Sequence, residues 1–252
     1  MTKSTRMSRT TLITGGTSGL GAAICAHLSR DGYRVIANYL PSTKQSAEQW
    51  QAELANDGIS VDLIAADVSD LSQCEAMAKQ LSDTYGTIEV LVNNAGITRD
   101  STIKKMPADE WHAVINTNLT SLYNVCRPLL DGMQDNHFGR IVNISSVSAQ
   151  RGQFGQTNYC AAKAGVHGFT KALALETARH GITVNSVSPG MIDTAMVQAI
   201  PSHMHQGIID SIPVGRIGDP ADIARAVRFL VDDDAGYITG SEISVNGGLF
   251  MH

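Results

Sequence analysis

Short β-branched, apolar runs alternate along the chain with longer stretches whose apolar residues recur every three or four positions. The runs predict strands at Thr10–Thr14, Arg34–Asn38, Val61–Ala66, Val90–Asn93, Arg140–Ser145, Thr183–Ser188 and Glu242–Val245. Between them, spacings such as Ala22-Ala23-Ala26-Leu28 and Ile223-Ala226-Val227-Leu230 gather apolar side chains on one face of a helix. Ser72 is expected to open one helix with Glu75 as its capping-box partner, and Asp219-Pro220 reads as N-cap and first turn of another. Strands this apolar, separated by helices, run parallel and are covered on both faces. The expected fold class is α/β: one doubly wound (Rossmann) domain over residues 1–252, its mostly parallel seven-stranded sheet carrying helices on both faces. One stretch breaks the rhythm. Residues 191–218 hold Pro201, Pro213, Gly207, Gly215, Gly218 and several methionines just after a strand end, where ligands of such sheets sit; a substrate lid is expected there.

Composition narrows the class further. The 252 residues are 43% hydrophobic, enough to bury a core and too much for a disordered chain. Nineteen Lys and Arg against 24 Asp and Glu give a net charge of −5, which argues against a nucleic-acid or anionic-lipid partner. No apolar run approaches the roughly 18 residues that span a bilayer. No apolar signal core follows the basic residues of Met1–Arg9, so a cytoplasmic protein is expected. Cys25, Cys74, Cys126 and Cys160 form no CxxC pair and read as buried free thiols. His203 and His205 have no nearby third ligand, so they are expected to be solvated, with no metal site.

The first strand runs into Thr14-Gly15-Gly16-Thr17-Ser18-Gly19-Leu20-Gly21, and an Ala-rich helix follows. Gly15 permits a tight exit from the strand, Gly19 lets a pyrophosphate approach bare backbone, and Gly21 allows close helix packing. The helix N-terminus adds free N–H groups and partial positive charge, so Thr17, Ser18 and Leu20 join the glycines as expected dinucleotide contacts. After the second strand, Asn38-Tyr39 brings no acid to hold a ribose 2′-hydroxyl; the first after Asp31 is Glu48. NADP(H) is therefore expected, with Tyr39, Ser42 and Lys44 near its 2′-phosphate. Asp67, beside Val68 at the end of the third strand, reads either as an acceptor for the adenine amino group or as an ordinary helix cap.

Tyr159 and Lys163 lie four apart, one turn along one helix face. A phenol is a poor acid or base at neutral pH, and an ammonium held nearby brings it toward the working range. Ser146 ends a strand shortly before, where it can hydrogen-bond a carbonyl or the oxyanion formed from it. A hydrolase nucleophile would need a Gly-x-Ser-x-Gly elbow, and the flanks here are Ile144-Ser145-Ser146-Val147-Ser148.

Taken together, Thr14–Gly21, Asn93-Asn94-Ala95-Gly96, Asn118, Ser146, Tyr159/Lys163 and Pro189-Gly190 resemble the short-chain dehydrogenase/reductases in order and spacing, over essentially the whole chain. The resemblance implies that Tyr159 donates a proton to the substrate carbonyl, Ser146 orients that oxygen, and Lys163 tunes Tyr159 and binds the nicotinamide ribose. It further implies that Asn118 holds a water in a proton relay. Asn94, Ala95 and Gly96 would pack near the cofactor ribose, and Pro189, Gly190 and Ile192 would border the nicotinamide. Within the family, Gly96–Asp100, Gly152–Tyr159 and the ending Asn246–Met251 are similar to the branch that reduces acetoacetyl-CoA to (R)-3-hydroxybutanoyl-CoA with NADPH, feeding polyhydroxybutyrate synthesis. Asp100, Gln153, Phe154, Gln156 and Met191 would then surround the acyl end and the pantetheine. The neighbouring branch acts on acyl-carrier-protein thioesters, and Arg99, Lys104 and Lys105 would serve either carrier. A non-catalytic dinucleotide sensor would be expected to lack the tyrosine, lysine or serine. The family's habit, together with apolar Leu249-Phe250-Met251, implies a homotetramer.

Overall fold

The computed structural model describes residues 8–198 and 202–251. In chain order the elements are β1 (Thr10–Ile13), α1 (Gly19–Arg30), β2 (Arg34–Tyr39), α2 (Lys44–Asn56), β3 (Asp62–Ala65), α3 (Leu71–Tyr85) and β4 (Val90–Asn93). Then come α4 (Ala108–Ile115), α5 (Ser121–Asp135), β5 (Gly139–Ile144), α6 (Val147–Arg151), α7 (Thr157–Thr177) and β6 (Ile182–Pro189). The chain finishes with α8 (Ala195–Gln198), α9 (Ser202–Ser211), α10 (Pro220–Leu230) and β7 (Glu242–Val245). The seven strands lie in the order β3-β2-β1-β4-β5-β6-β7, and every pairing is parallel. All seven expected strands are present, with no end moved by more than one residue. This is one Rossmann-like α/β sheet with its order reversing between β1 and β4, where the loops leaving the strand ends part to form a crevice.

Alternation along the strands builds a core on each face. Leu12, Leu91 and Ile141 point toward α3, α5 and α7, where Leu81, Met133 and Leu173 meet them. Ile13, Val90, Val92 and Val142 point the other way, onto Ile24 and Leu28 of α1 and Ile223, Val227 and Leu230 of α10. Because both faces are covered, strands such as β2 and β4 carry apolar residues at successive positions, which made them legible.

The helix caps divide. Asp219 does cap α10: it accepts from the Ala221 N–H, and Asp222 returns a bond from the Asp219 N–H, completing a capping box. α3 starts two residues earlier than expected, and its cap is Asp70, which accepts from the N–H groups of Ser72 and Gln73. Ser72 donates its hydroxyl to that same carboxylate, and Glu75 pairs instead with Arg127 of α5. A charged acceptor beside a free helix end outcompetes a hydroxyl two positions on.

The two ends of residues 191–218 meet. They are joined by the Gly218 N–H on the Met191 carbonyl and the Asp193 N–H on the Gly218 carbonyl, both 2.8 Å. Pro201 and His203 were singled out by sequence; Pro201 and the side chain of His203 lie outside the described residues. His205 is half-buried rather than solvated: its Nε2 is shut off from solvent without a partner among the described residues, at a cavity shared with Asp193, Val197 and Arg216. Cys25, Cys74 and Cys126 are buried free thiols, the latter two pushed up to about 12 by burial. Cys160 is only half-buried. Among the described residues no cluster of His, Cys, Asp and Glu suits a metal, and no helix is long and apolar enough to cross a membrane.

Candidate active site

The glycine turn joins β1 to α1 and is shaped by what surrounds it. Gly15 and Gly19 adopt φ of +58° and +51°, a region costly for any residue with a Cβ. A Cβ on Gly21 would stand 2.2 Å from the Gly15 carbonyl oxygen, so the helix start is pressed against the turn itself. Beside Gly19 there is open space, and Ser18 makes no side-chain capping bond, which leaves the first N–H groups of α1 free to receive a ligand. That combination fits a dinucleotide pyrophosphate. Two residues hold the turn in place. Thr14 Oγ1 accepts from the N–H groups of Asn94 and Ala95, while Asn94 Nδ2 donates back to the carbonyls of Thr14 and Gly15. Asn38 Oδ1 accepts from the Gly15 N–H, and its Nδ2 donates to the Ala66 carbonyl.

At the far side of this groove the expected residues separate. Ser42 and Lys44 stand in solvent at the start of α2, Lys44 lying 3.7 Å from Glu48. Tyr39 closes β2 and is only 9% exposed, so it does not stand beside them in solvent. Asp67 Oδ1 takes the N–H and hydroxyl of Ser69, bracing the turn before α3 without capping it. Val68 is buried, and its carbonyl is held by Asn124 Nδ2.

The reactive groups meet at the ends of β5 and β4. Ser146 caps α6, its Oγ accepting from the Ser148 N–H, and the hydroxyl faces the Tyr159 phenol closely enough to favour its ionised form. Lys163, 4% exposed, donates from Nζ to the Ile144 carbonyl at 2.8 Å and lies 5.8 Å from the centre of the Tyr159 ring. Burial pulls the lysine down to about 8. The sequence reading has this lysine lowering the tyrosine; instead burial raises Tyr159 above its ordinary value, the Ser146 hydroxyl offsetting part of the rise. The ammonium is committed to a carbonyl and sits over the ring, where it does little for the phenol oxygen. A phenol so held is neutral, which is the form that can give up a proton.

Asn118 sits in a single π-helical turn, Asn116–Thr120, between α4 and α5. Its amide donates to the carbonyls of Ile97 and Val114, and its Oδ1 accepts from the Ile97 N–H. Both side-chain hydrogens are thus spent on backbone. Gly96 threads between Asn118 and the lysine: a Cβ there would lie 2.6 Å from Asn118 Oδ1 and 3.5 Å from Lys163 Nζ.

The expected substrate residues form a rim. Gln156 Nε2 donates to Asp100 at 2.8 Å, and the Ser101 N–H donates to the Gly155 carbonyl, so the loops after β4 and before α7 are stitched together. Gln153 is exposed, and Phe154 projects from this rim at 88% exposure. Met191 and Ile192 border a separate cavity of about 360 Å³ with Ile212, Val214 and Gly247. Pro189 and Gly190 end β6 so tightly against β7 that a Cβ on Gly190 would be 2.7 Å from the Asn246 Cα. At the tail, Asn246 Nδ2 holds the Phe250 carbonyl; Leu249 and Phe250 are half-buried and Met251 is 74% exposed.

Sequence reasoning gave no role to Asn38, Ser145 or Asn158. Ser145 Oγ donates to the Lys163 carbonyl, and Asn158 bridges the Arg99 carbonyl to the Tyr159 N–H. A polar residue at the end of an otherwise apolar strand was the available signal for the first two.

Comparison with known proteins agrees with this geometry. The chain matches a family model described as "Enoyl-(Acyl carrier protein) reductase" over residues 15–250. It is 50% identical over 246 residues to an acetoacetyl-CoA reductase of Allochromatium vinosum, covering 98% of this chain and 100% of that one. It is 54% identical to an acetoacetyl-CoA reductase of Shinella zoogloeoides (97% and 100% covered). Against a 3-oxoacyl-[acyl-carrier-protein] reductase of Haemophilus influenzae the identity is 46% (95% and 97% covered). With similarity of this extent and a serine, tyrosine and lysine converging beside a glycine turn, the chain belongs to the short-chain dehydrogenase/reductase family of oxidoreductases.

Proposed function

We propose that this chain reduces the 3-oxo group of acetoacetyl-CoA to (R)-3-hydroxybutanoyl-CoA, with NADPH as the reductant. The family works with a nicotinamide dinucleotide, and when bound along the glycine turn that cofactor supplies the hydride. The observation carrying the proposal is the convergence of Ser146, fixed by the Ser148 N–H, with the Tyr159 ring that lies 5.8 Å from the buried Lys163 ammonium. Ser146, fixed through the Ser148 N–H, holds the carbonyl oxygen of the substrate. As negative charge grows on that oxygen, Tyr159 gives it a proton and Ser146 hydrogen-bonds it. Lys163, its Nζ spent on the Ile144 carbonyl, holds the helix that carries Tyr159 against the end of β5. With the side-chain amide of Asn118 spent, proton return runs through a water on its main chain rather than on its amide.

The CoA carrier follows from the names of the relatives and from the rim of Asp100, Gln153, Phe154 and Gln156, which offers one apolar face among amides to a thioester chain. NADPH over NADH follows from the missing carboxylate after β2 and from exposed Ser42 and Lys44. Residues 191–218 act as the lid, Met191 contributing from its hinge. A cytoplasmic homotetramer completes the reading, its contacts including Met251. Initial rates with acetoacetyl-CoA and with acetoacetyl carrier protein, each with NADPH and NADH, test this directly. The expected ranking puts acetoacetyl-CoA with NADPH first; a clear preference for the carrier protein moves the assignment to the other branch. Sedimentation at micromolar concentration tests the assembly, and a strictly monomeric species refutes it.

A further inference from the structure

A second polar cluster lies outside the reactive trio and touches none of the groups given a role above. Glu242 opens β7, and one of its oxygens, Oε1, receives three side chains from three other elements. Gln150 Nε2 of α6 is 2.6 Å away, Ser188 Oγ of β6 is 2.7 Å away, and His167 Nε2 of α7 is 3.2 Å away. An ionised carboxylate only accepts, so Gln150 and Ser188 donate to it, while His167 Nε2 lies within ion-pair distance of the carboxylate and 3.3 Å from Ser188 Oγ. Gln150 also donates to Ser244 Oγ at 2.8 Å, while its own Oε1 is buried without a partner among the described residues. The amide is therefore oriented by its donor end alone. His167 and Glu242 are 15% and 19% exposed, so the bonds form largely away from solvent and are correspondingly strong.

The placement of the three partners is what gives the cluster meaning. α6 is the five-residue helix that Ser146 caps, so holding Gln150 holds the segment that aims the Ser146 hydroxyl. His167 lies one turn beyond Lys163 on α7, the helix that carries Tyr159. Ser188 immediately precedes Pro189 and Gly190 at the end of β6. One carboxylate oxygen thus ties together the serine's helix, the tyrosine's helix and the strand end beside them. We propose that Glu242 is a positioning residue for the reduction, setting the approach of Ser146 to Tyr159 through Gln150 and His167. The proposal rests on the reductase reading above only for its kinetic arm.

The test compares Glu242→Ala, Glu242→Gln, Gln150→Ala and the double variant Glu242→Ala/Gln150→Ala in the full chain. Two readouts are taken: kcat and KM for acetoacetyl-CoA with NADPH, and the ¹³Cζ resonance of Tyr159 in tyrosine-labelled protein, assigned with Tyr159→Phe. Misplacing a reacting group by about an ångström costs on the order of a hundredfold, so Glu242→Ala is expected to lose kcat on that scale with KM for NADPH unchanged. Gln150→Ala should show a loss of the same kind, and the double variant should lose less than the product of the two. Glu242→Gln keeps an acceptor oxygen and should recover most of the rate. The Tyr159 resonance should move in Glu242→Ala and return in Glu242→Gln. Unchanged kcat and resonance in Glu242→Ala, or strictly multiplicative losses, overturn the proposal. Should Glu242→Ala fail to fold, Gln150→Ala on its short helix decides through the same two readouts. If wild-type protein does not turn over acetoacetyl-CoA, the substrate assignment fails while the resonance still decides the role of Glu242.

Discussion

Lys163 Nζ donates to the main-chain carbonyl of Ile144 at 2.8 Å, joining the catalytic helix to the last residue of β5 in a site closed to solvent. That bond does not repay the burial of a charge, which is why the ammonium is drawn from 10.5 to about 8. Between those two values the unfolded chain holds a proton that the folded chain has released, so stability rises with pH across that window. Below about 8 the lysine is charged in both states and the folded protein carries the whole penalty, on the order of 3 kcal/mol. Lys163→Met keeps the volume and removes the charge, at the cost of about 1 kcal/mol for the unpaired Ile144 carbonyl. The variant is expected to melt above wild type at pH 7, with the gap narrowing toward pH 10, and to be inactive. Thermal melts of both proteins across that range check it; a lower melting temperature at pH 7 contradicts it.

Tyr159→Phe removes the proton donor and little else. Turnover should fall by orders of magnitude, while NADPH binding, measured by fluorescence, survives. Because burial raises the phenol above its ordinary value near 10, kcat/KM for carbonyl reduction should stay flat through neutral pH and decline only above that value. The reverse oxidation needs tyrosinate and should climb with pH instead. Reductase activity that persists in Tyr159→Phe shows the acid to be another group.

Gly19 and Gly21 are two residues apart and should fail differently. A methyl on Gly21 collides with the Gly15 carbonyl, which is backbone and cannot move aside cheaply. Gly21→Ala is expected to destabilise the protein by about 1–3 kcal/mol, as overpacking does. Gly19 has room beside it, so Gly19→Ala bears only the left-handed strain, about 1–2 kcal/mol. Its new methyl nevertheless enters the space assigned to the pyrophosphate, so its loss of NADPH affinity should exceed what the stability change explains. Denaturant melts paired with nucleotide titrations separate the two; equal affinity in Gly19→Ala and wild type would falsify the phosphate site.

Most of the fold was legible because both faces of the sheet are buried, leaving strands such as Val90–Asn93 as short apolar runs. The trio was legible for a different reason: Tyr159 and Lys163 share one helix, and local spacing alone puts them on one face. What depended on competition between nearby groups was not. Asp70 and Ser72 both suit a cap, and only the folded chain shows that the carboxylate wins. Nor does spacing reveal that Lys163 is claimed by a carbonyl 19 positions away in β5, so the direction of the Tyr159 shift was misjudged. Asn38 and Glu242 act through partners brought together by the sheet order, about which local patterns are silent.

The proposed preference for NADPH rests on a side chain rather than on the glycine turn. Lys44 opens α2 in solvent, its weak pairing with Glu48 leaving the ammonium free to turn toward a 2′-phosphate. An exposed charge pair is worth at most about 1 kcal/mol, but a doubly charged phosphate offers more than one oxygen to the same ammonium. Lys44→Glu replaces attraction with repulsion, so KM for NADPH should rise about tenfold or more, close to 1.4 kcal/mol. NADH lacks that phosphate, and its KM should scarcely move. The effect should also shrink as salt is raised, since both charges face water. A parallel loss with both nucleotides places Lys44 away from the 2′-phosphate and shifts that role to the backbone around Ser42.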